Sequence, residues 1–221
     1  MKKIFFISGL GADKRAFNRI EEFNGYEKIF IDWEPNQKSE SLQVYSQRLF
    51  SGTNISDEDI LIGLSFGGLI AQEIAYLLSI KKVLLISSFR DANDLKPLLK
   101  KLLNLRFHYL IPNFRISFFS VIIRNWFNVN SSEGKNILNQ MVDSTNPILM
   151  KWSMEKIRES TFIENKSTTI YNIIGNKDKM LRLWENKNTS IIDGGGHFMV
   201  YENANEVNRI LKKIIERSLQ P

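Results

Sequence analysis

The sequence predicts an α/β protein with a small, mostly parallel sheet of about six strands, helices on both faces, and an inserted helical segment. Short apolar runs alternate with longer amphipathic stretches, the pattern of strands joined by crossover helices. Polar residues seldom interrupt the apolar runs, as expected for strands that are covered on both faces. With 221 residues, the chain is long enough for one domain with a substantial core.

The individual elements follow from these patterns. Short apolar runs predict strands over residues 3–7, 28–32, 59–63, 82–87, 168–174 and 189–192. Helical periodicity predicts helices over residues 13–23, 40–50, 66–79 and 204–219. The last helix is the clearest, because its apolar side chains fall on one face: Val207, Ile210, Leu211, Ile214, Ile215 and Leu219.

Residues 91–166 break the alternation. They hold helical, aromatic-rich stretches between two predicted core strands. We therefore divide the chain into a core, residues 1–90 and 167–221, and a helical insertion, residues 91–166.

A sharp turn around Ser65 carries the strongest chemical signal. The sequence Gly63-Leu64-Ser65-Phe66-Gly67 follows a predicted strand and opens a predicted helix. This is the G-x-S-x-G pattern in a strand-turn-helix context, where small residues let the strand and the helix approach closely. The pattern predicts that Ser65 is a nucleophile lifted clear of the sheet edge.

Two later loops supply partners for this serine. His197 ends the glycine run Gly194-Gly195-Gly196 after a predicted strand, and histidine is the usual base that activates a serine. Asp178 lies just after another strand, where its carboxylate can hold the imidazole. Asp91 and Asp94 also follow a strand and remain alternatives for the acid, whereas Asp193 is too close to His197 in sequence.

The first predicted strand is followed by a glycine loop, Ser8-Gly9-Leu10-Gly11, which we call the Leu10 loop. Acyl transfer needs backbone N–H groups that stabilise the developing oxyanion. We expect these donors to be the N–H of Phe66, which follows the nucleophile, and the N–H of Leu10.

Taken together, these motifs resemble those of compact α/β-hydrolases of the carboxylesterase, C–C hydrolase and methyl-esterase branch. The order Ser65, Asp178, His197 is the order of that fold. The resemblance implies a serine hydrolase without a cofactor, whose insertion forms a cap over the active site. We expect the protein to be cytoplasmic. Two features depart from the family: Ser8-Gly9 stands where His-Gly is frequent, and Asp178 and His197 are closely spaced.

The predicted reaction is cleavage of a carboxylic ester or thioester through an acyl-enzyme on Ser65. Three alternatives stay open. They are a methyl esterase for carrier-bound acyl groups that docks through a basic cap, a C–C bond hydrolase or lyase using the same three residues, and a silent ligand-binding relative.

Composition excludes several other classes. The chain has no cysteine, which removes thiol catalysis and disulfides and is compatible with a reducing cytoplasm. Its two histidines lie far apart, so we expect no metal site. No run is long enough for a transmembrane segment, and no motif beyond charge suggests nucleic acid. The apolar start is too short for a secretory signal, and cleavage there would remove the Leu10 loop.

Positive charge is concentrated in one part of the insertion. Residues 95–132 carry six basic residues and no acidic one, which equals the net charge of +6 for the whole chain. These residues are Lys96, Lys100, Lys101, Arg106, Arg115 and Arg124. They indicate a solvated helix face, a docking surface for an acidic protein, or a membrane-surface patch. A resemblance to pimeloyl-acyl-carrier-protein methyl esterases, which have a basic cap, implies an acyl carrier protein as the acidic partner.

Overall fold

A computed structural model of the protein describes residues 1–110 and 120–216, and its centre is one sheet of six parallel strands. The strands are β1 (Lys2–Ile7), β2 (Tyr26–Ile31), β3 (Ile60–Leu64), β4 (Lys82–Ile86), β5 (Thr169–Gly175) and β6 (Thr189–Ile192). Their order across the sheet is β2-β1-β3-β4-β5-β6. The six predicted strands are confirmed, and every pairing among them is parallel.

Helices surround this sheet. They are α1 (Leu42–Leu49), α2 (Phe66–Leu78), α3 (Pro97–Asn104), α4 (Ser120–Phe127), α5 (Ser132–Asp143), α6 (Pro147–Glu159), α7 (Met199–Glu202) and α8 (Ala204–Glu216). Predicted helices correspond to α1, α2 and α8, and residues 217–219 of the last prediction lie outside the described residues. None of the helices in the described residues is long and apolar enough to cross a membrane.

Alternate residues of the buried strands face two different cores. On β1, Phe5 and Ile7 join a cluster that includes side chains of α1 and α2. Ile4 and Phe6 join a second cluster, which includes side chains of α8. This explains why the strands read as continuous apolar runs, because each face of the sheet is covered.

The helix predicted over residues 13–23 is wrong. Only a short 3-10 turn, Lys14–Phe17, forms there. Beyond it, the carbonyl of Arg19 accepts a hydrogen bond from the side-chain amide of Asn208 on α8, and the N–H of Glu21 donates to the same amide's oxygen. These backbone groups therefore bond to a distant helix instead of to their own turn. The apolar residues Phe17 and Ile20 are still buried, which accounts for the misleading periodicity.

The insertion carries α3 to α6 between β4 and β5. It begins beside the loop that follows β5: the N–H of Lys96 donates to the carbonyl of Met180, and the N–H of Arg182 donates to the carbonyl of Asp94. The start of the insertion is thus fixed to the loop that holds Asp178. The division into a core and a cap remains a prediction.

Candidate active site

Ser65 occupies a strained backbone position between β3 and α2. Its φ is 50° and its ψ is −121°, outside the regions that L-residues favour. Glycines on both sides make the sharp turn possible. A Cβ on Gly63 would lie 2.4 Å from the Cα of Gly68, and one on Gly67 would lie 2.3 Å from the carbonyl oxygen of Ile7. Such strain costs about 1–3 kcal/mol and persists where the surroundings enforce it.

This strain predicts that Ser65→Gly is more stable than Ser65→Ala. Glycine adopts a positive φ without steric cost, while alanine keeps the strain of serine. The greater backbone entropy of unfolded glycine offsets part of the gain, so we expect a difference in unfolding free energy of about 1 kcal/mol. Urea denaturation of both variants measures it. A glycine variant that is no more stable than the alanine variant would show that the turn is unstrained.

The structure brings together the three side chains that the sequence predicts. The Nε2 of His197 lies 3.0 Å from the Oγ of Ser65, and its Nδ1 lies 2.7 Å from the Oδ2 of Asp178. Asp178 and His197 are both buried. A hydrogen-bonded chain of hydroxyl, imidazole and carboxylate therefore lies at the carboxyl-terminal edge of the sheet.

Asp178 is held in its ionised form. Burial by itself would raise the pKa of this carboxyl. The charge and hydrogen bond of His197, with hydrogen bonds from the N–H groups of Met180 and Leu181, outweigh burial and lower the pKa below its ordinary 3.8. The stability that this carboxylate contributes is therefore present above pH ~3.8 and is lost as the pH falls through the lower folded value.

The alternative acids have other partners. The carboxylate of Asp94 makes a two-point ion pair with Arg90, and Asp91 caps the short turn that follows β4. Asp193 accepts a hydrogen bond from Asn176. Only Asp178, among the described acidic residues, has a hydrogen bond to His197.

The glycine run before His197 lets its loop cross the end of β5. A Cβ on Gly175 would lie 2.1 Å from the carbonyl oxygen of Gly195, so the two backbones are in direct contact. The N–H of Lys177 donates to that same carbonyl, at 2.9 Å. His197 follows the edge strand β6, and this close crossing carries its imidazole toward Ser65 near the middle of the sheet.

The Leu10 loop packs against Ser65. A Cβ on Gly9 would lie 3.1 Å from the Cβ of Ser65, and the buried hydroxyl of Ser8 donates to the carbonyl of Ala12 across the loop. Ser8, which departs from the family pattern, thus closes the loop on itself. The N–H groups of Leu10 and Phe66 donate no hydrogen bond to any residue within the described ranges. They are free to bind an oxyanion.

Sequence reasoning missed three residues that support this arrangement. The hydroxyl of Ser88 donates to the carbonyl of Ser65 at 2.7 Å, and the ring of Phe127 lies 4.9 Å from the His197 ring. The Nζ of Lys96 donates to the backbone carbonyl of Asp178. The available signal was the position of Ser88, two residues beyond the end of β4. Nothing in the sequence distinguishes Lys96 from its basic neighbours.

A cavity of about 250 Å³ lies over Ser65 and His197, and we call it the apolar cavity. Besides these two residues, Thr145 contributes its only other polar side chain among the described lining residues. The insertion supplies much of its wall, including Leu99, Leu103, Trp126, Phe127, Met150 and Met154. The hydroxyl of Ser65 therefore faces an apolar chamber.

The basic residues of the insertion are partly engaged elsewhere. Arg106 pairs with Glu155, Lys100 donates to Asn93, and Arg124 donates to Asn139. Lys101 is exposed, and Arg115 lies outside the described residues. Docking of an acidic partner at this segment remains a prediction.

His108, the second histidine, lies in the insertion and is not part of this arrangement. It is buried, and its Nε2 is 3.7 Å from a carboxylate oxygen of Glu155. Burial lowers the pKa of its imidazole, against the opposing charge of Glu155. Within residues 1–110 and 120–216, no cluster of three or more histidine, aspartate or glutamate side chains could hold a metal ion.

No protein-family model and no curated protein matches the chain in sequence. Solved structures do match its fold. A hydrolase from Oleispira antarctica gives a TM-score of 0.77 at 17% identity, covering 98% of this chain and 91% of that one. MenH from S. aureus gives 0.75 at 15% identity, covering 99% and 95%. A thermophilic esterase from Thermogutta terrifontis gives 0.74 at 14% identity, covering 98% and 90%. With its six parallel strands and surrounding helices, the chain has the α/β-hydrolase fold.

Proposed function

We propose that the chain is a serine hydrolase that cleaves a carboxylic ester or thioester through an acyl-enzyme on Ser65. The observation that carries this proposal is the continuous hydrogen-bonded chain from Ser65 through His197 to Asp178. The esterases and hydrolases among its structural neighbours agree with it. One fold serves many reactions, so the geometry of the site, and not the fold, points to this chemistry.

The first half of the reaction acylates the serine. His197 Nε2 accepts the proton of Ser65 Oγ while that oxygen attacks the carbonyl carbon of the ester. The carbonyl oxygen becomes an oxyanion, which the N–H groups of Leu10 and Phe66 stabilise. His197 then gives the proton to the leaving oxygen or sulfur as its bond to carbon breaks.

The second half repeats these steps with water. His197 accepts a proton from water, the hydroxide attacks the acyl carbon, and the proton returns to Ser65 as the acid departs. Asp178 keeps the proton of His197 on Nδ1 and stabilises the imidazolium that forms in each half. The buried carboxylate needs no proton of its own, in line with its lowered pKa.

The apolar cavity indicates the acyl group. Its volume of about 250 Å³ is smaller than the ~300–1,000 Å³ of most small-molecule sites. A short, unbranched acyl chain suits it, and a charged acyl group would lose its hydration there without a partner. This favours short-chain esters over long-chain ones.

A series of p-nitrophenyl esters tests this proposal. We expect kcat/KM to be at least about tenfold higher for the butanoate than for the hexadecanoate, because the longer chain cannot be enclosed. The proposed function would be contradicted if none of these esters were hydrolysed and a fluorophosphonate probe did not label Ser65.

Two neighbouring leucines provide a matched pair of variants. Leu99 lines the apolar cavity, whereas Leu98 is 64% exposed on the same helix. Leu99→Trp should shift the preference toward the acetate by filling the cavity, and Leu98→Trp should leave the preference unchanged. Equal shifts in both variants would show that the acyl chain does not occupy this cavity.

A further inference from the structure

A second cavity, of about 350 Å³, adjoins the apolar cavity at the Leu10 loop. Leu10, Gly11, Thr145 and Met150 line both cavities. The two spaces therefore meet at the loop that carries a candidate oxyanion donor. Ser65 itself lines only the apolar cavity, and the shared wall connects it to the second one.

The second cavity has three acidic residues in a wall that is otherwise mostly apolar, and we call it the acidic cavity. Asp13, Asp32 and Glu34 line it, and none of its described lining residues is basic. Asp13 pairs with Arg15 at 2.5 Å, and Glu34 shares Arg48 with the buried Glu40.

One carboxylate of the acidic cavity stays uncompensated. The three paired carboxylates face two guanidinium groups, because Arg48 serves both of its glutamates, and the charge of Lys14 also acts on Asp13. Asp32 has no ion pair and accepts no hydrogen bond from any described residue. Its carboxylate is exposed at the end of β2 and is free to attract a cation.

Two other wall residues fit a ligand that carries a cation with N–H donors. The ring of Trp33 lies nearly parallel to that of Phe66, and its indole N–H donates to the carbonyl of Ala12. These two contacts fix the ring. The face of an indole attracts ammonium groups. Ser153 is 1% exposed, and its Oγ has no hydrogen-bond partner in the described structure. It follows Leu149 and Met150 by one turn of α6, on the face that lines the cavity.

We propose that the acidic cavity binds a protonated amine on the alcohol part of the substrate, which makes amino-alcohol esters the preferred class. This inference rests on the proposed function. If the acyl chain fills the apolar cavity, the alcohol substituent extends from the carbonyl carbon in another direction. The acidic cavity shares the Leu10 and Thr145 wall and offers that space.

Two esters of the same shape, one positively charged and one neutral, test the inference. They are 2-(dimethylamino)ethyl butanoate, which is protonated at neutral pH, and 3-methylbutyl butanoate, in which carbon replaces nitrogen. Both give the same acyl-enzyme, so their kcat/KM values differ only through the alcohol. We expect the charged ester to be preferred about fivefold or more at 0.1 M salt, and less at 1 M salt, where screening is stronger.

Matched variants on one strand locate the effect. Asp32 follows the carboxyl-terminal end of β2, and the exposed Glu27 lies near its other end, about 17 Å away at ~3.3 Å per residue. Asp32→Asn should remove most of the preference, while Glu27→Gln should keep it. Neither position is buried, so neither variant should impair folding.

The outcomes separate this inference from the proposed function. Equal kcat/KM for the two esters, or a preference that survives Asp32→Asn, would overturn the inference and leave the serine hydrolase intact. Failure to cleave the charged ester while p-nitrophenyl butanoate is cleaved would do the same. Failure to cleave any ester would overturn both proposals.

Discussion

Ser65→Ala is expected to lower kcat for ester hydrolysis by on the order of 10⁶-fold, the size of loss that removal of an essential serine produces. The hydroxyl is the attacking atom in the proposed reaction, and no neighbouring group can replace it. Steady-state hydrolysis of p-nitrophenyl butanoate measures the effect.

A double variant makes this prediction sharper. Ser65 and His197 act as one unit through their 3.0 Å contact, so Ser65→Ala/His197→Ala should be no slower than Ser65→Ala. Losses that add in the double variant would mean that the two residues act independently. Residual activity near that of the unaltered protein in Ser65→Ala would remove Ser65 from the mechanism.

Asp178→Asn is expected to lower kcat by on the order of 10⁴-fold while leaving the fold intact. The amide oxygen can still accept the N–H groups of Met180 and Leu181, which bond to one carboxylate oxygen. Its NH₂ group would then face His197 Nδ1 and favour the tautomer that cannot accept the serine proton. Rate measurements with circular dichroism spectra of the folded variant check both parts.

Asp94→Asn is the matched control for the acid. It removes the ion pair with Arg90, so we expect lower stability with nearly normal kcat. A normal rate in Asp178→Asn with a lost rate in Asp94→Asn would assign the acid to the loop after β4. The contacts in the structure predict the opposite.

The sheet and the sharp turn at Ser65 could be predicted from the sequence because their signals are local. Buried parallel strands are continuous apolar runs, and a close strand-to-helix turn needs glycine on both sides of Ser65. The helix over residues 13–23 failed because Asn208, distant in the sequence, bonds to the backbone there. A hydrogen bond between residues so far apart in the sequence cannot be predicted from the local pattern of apolar residues.

The sequence favoured Asp178 as the acid but could not exclude Asp91 and Asp94, for a related reason. The loops after β4 and β5 reach the same edge of the sheet side by side, so both offered carboxylates near His197. The choice depended on Arg90, which pairs with Asp94. Lys96 shows the same limit, since nothing in the sequence indicates that its side chain contacts the Asp178 carbonyl.

Labelling with a fluorophosphonate probe tests the central claim most directly, because the probe reacts with a serine only when a base and an oxyanion site activate it. We predict one covalent adduct per chain, located on Ser65 by peptide mass spectrometry, and no adduct in Ser65→Ala. Labelling of another residue, labelling that survives Ser65→Ala, or no labelling of the folded protein would contradict the assignment of this site.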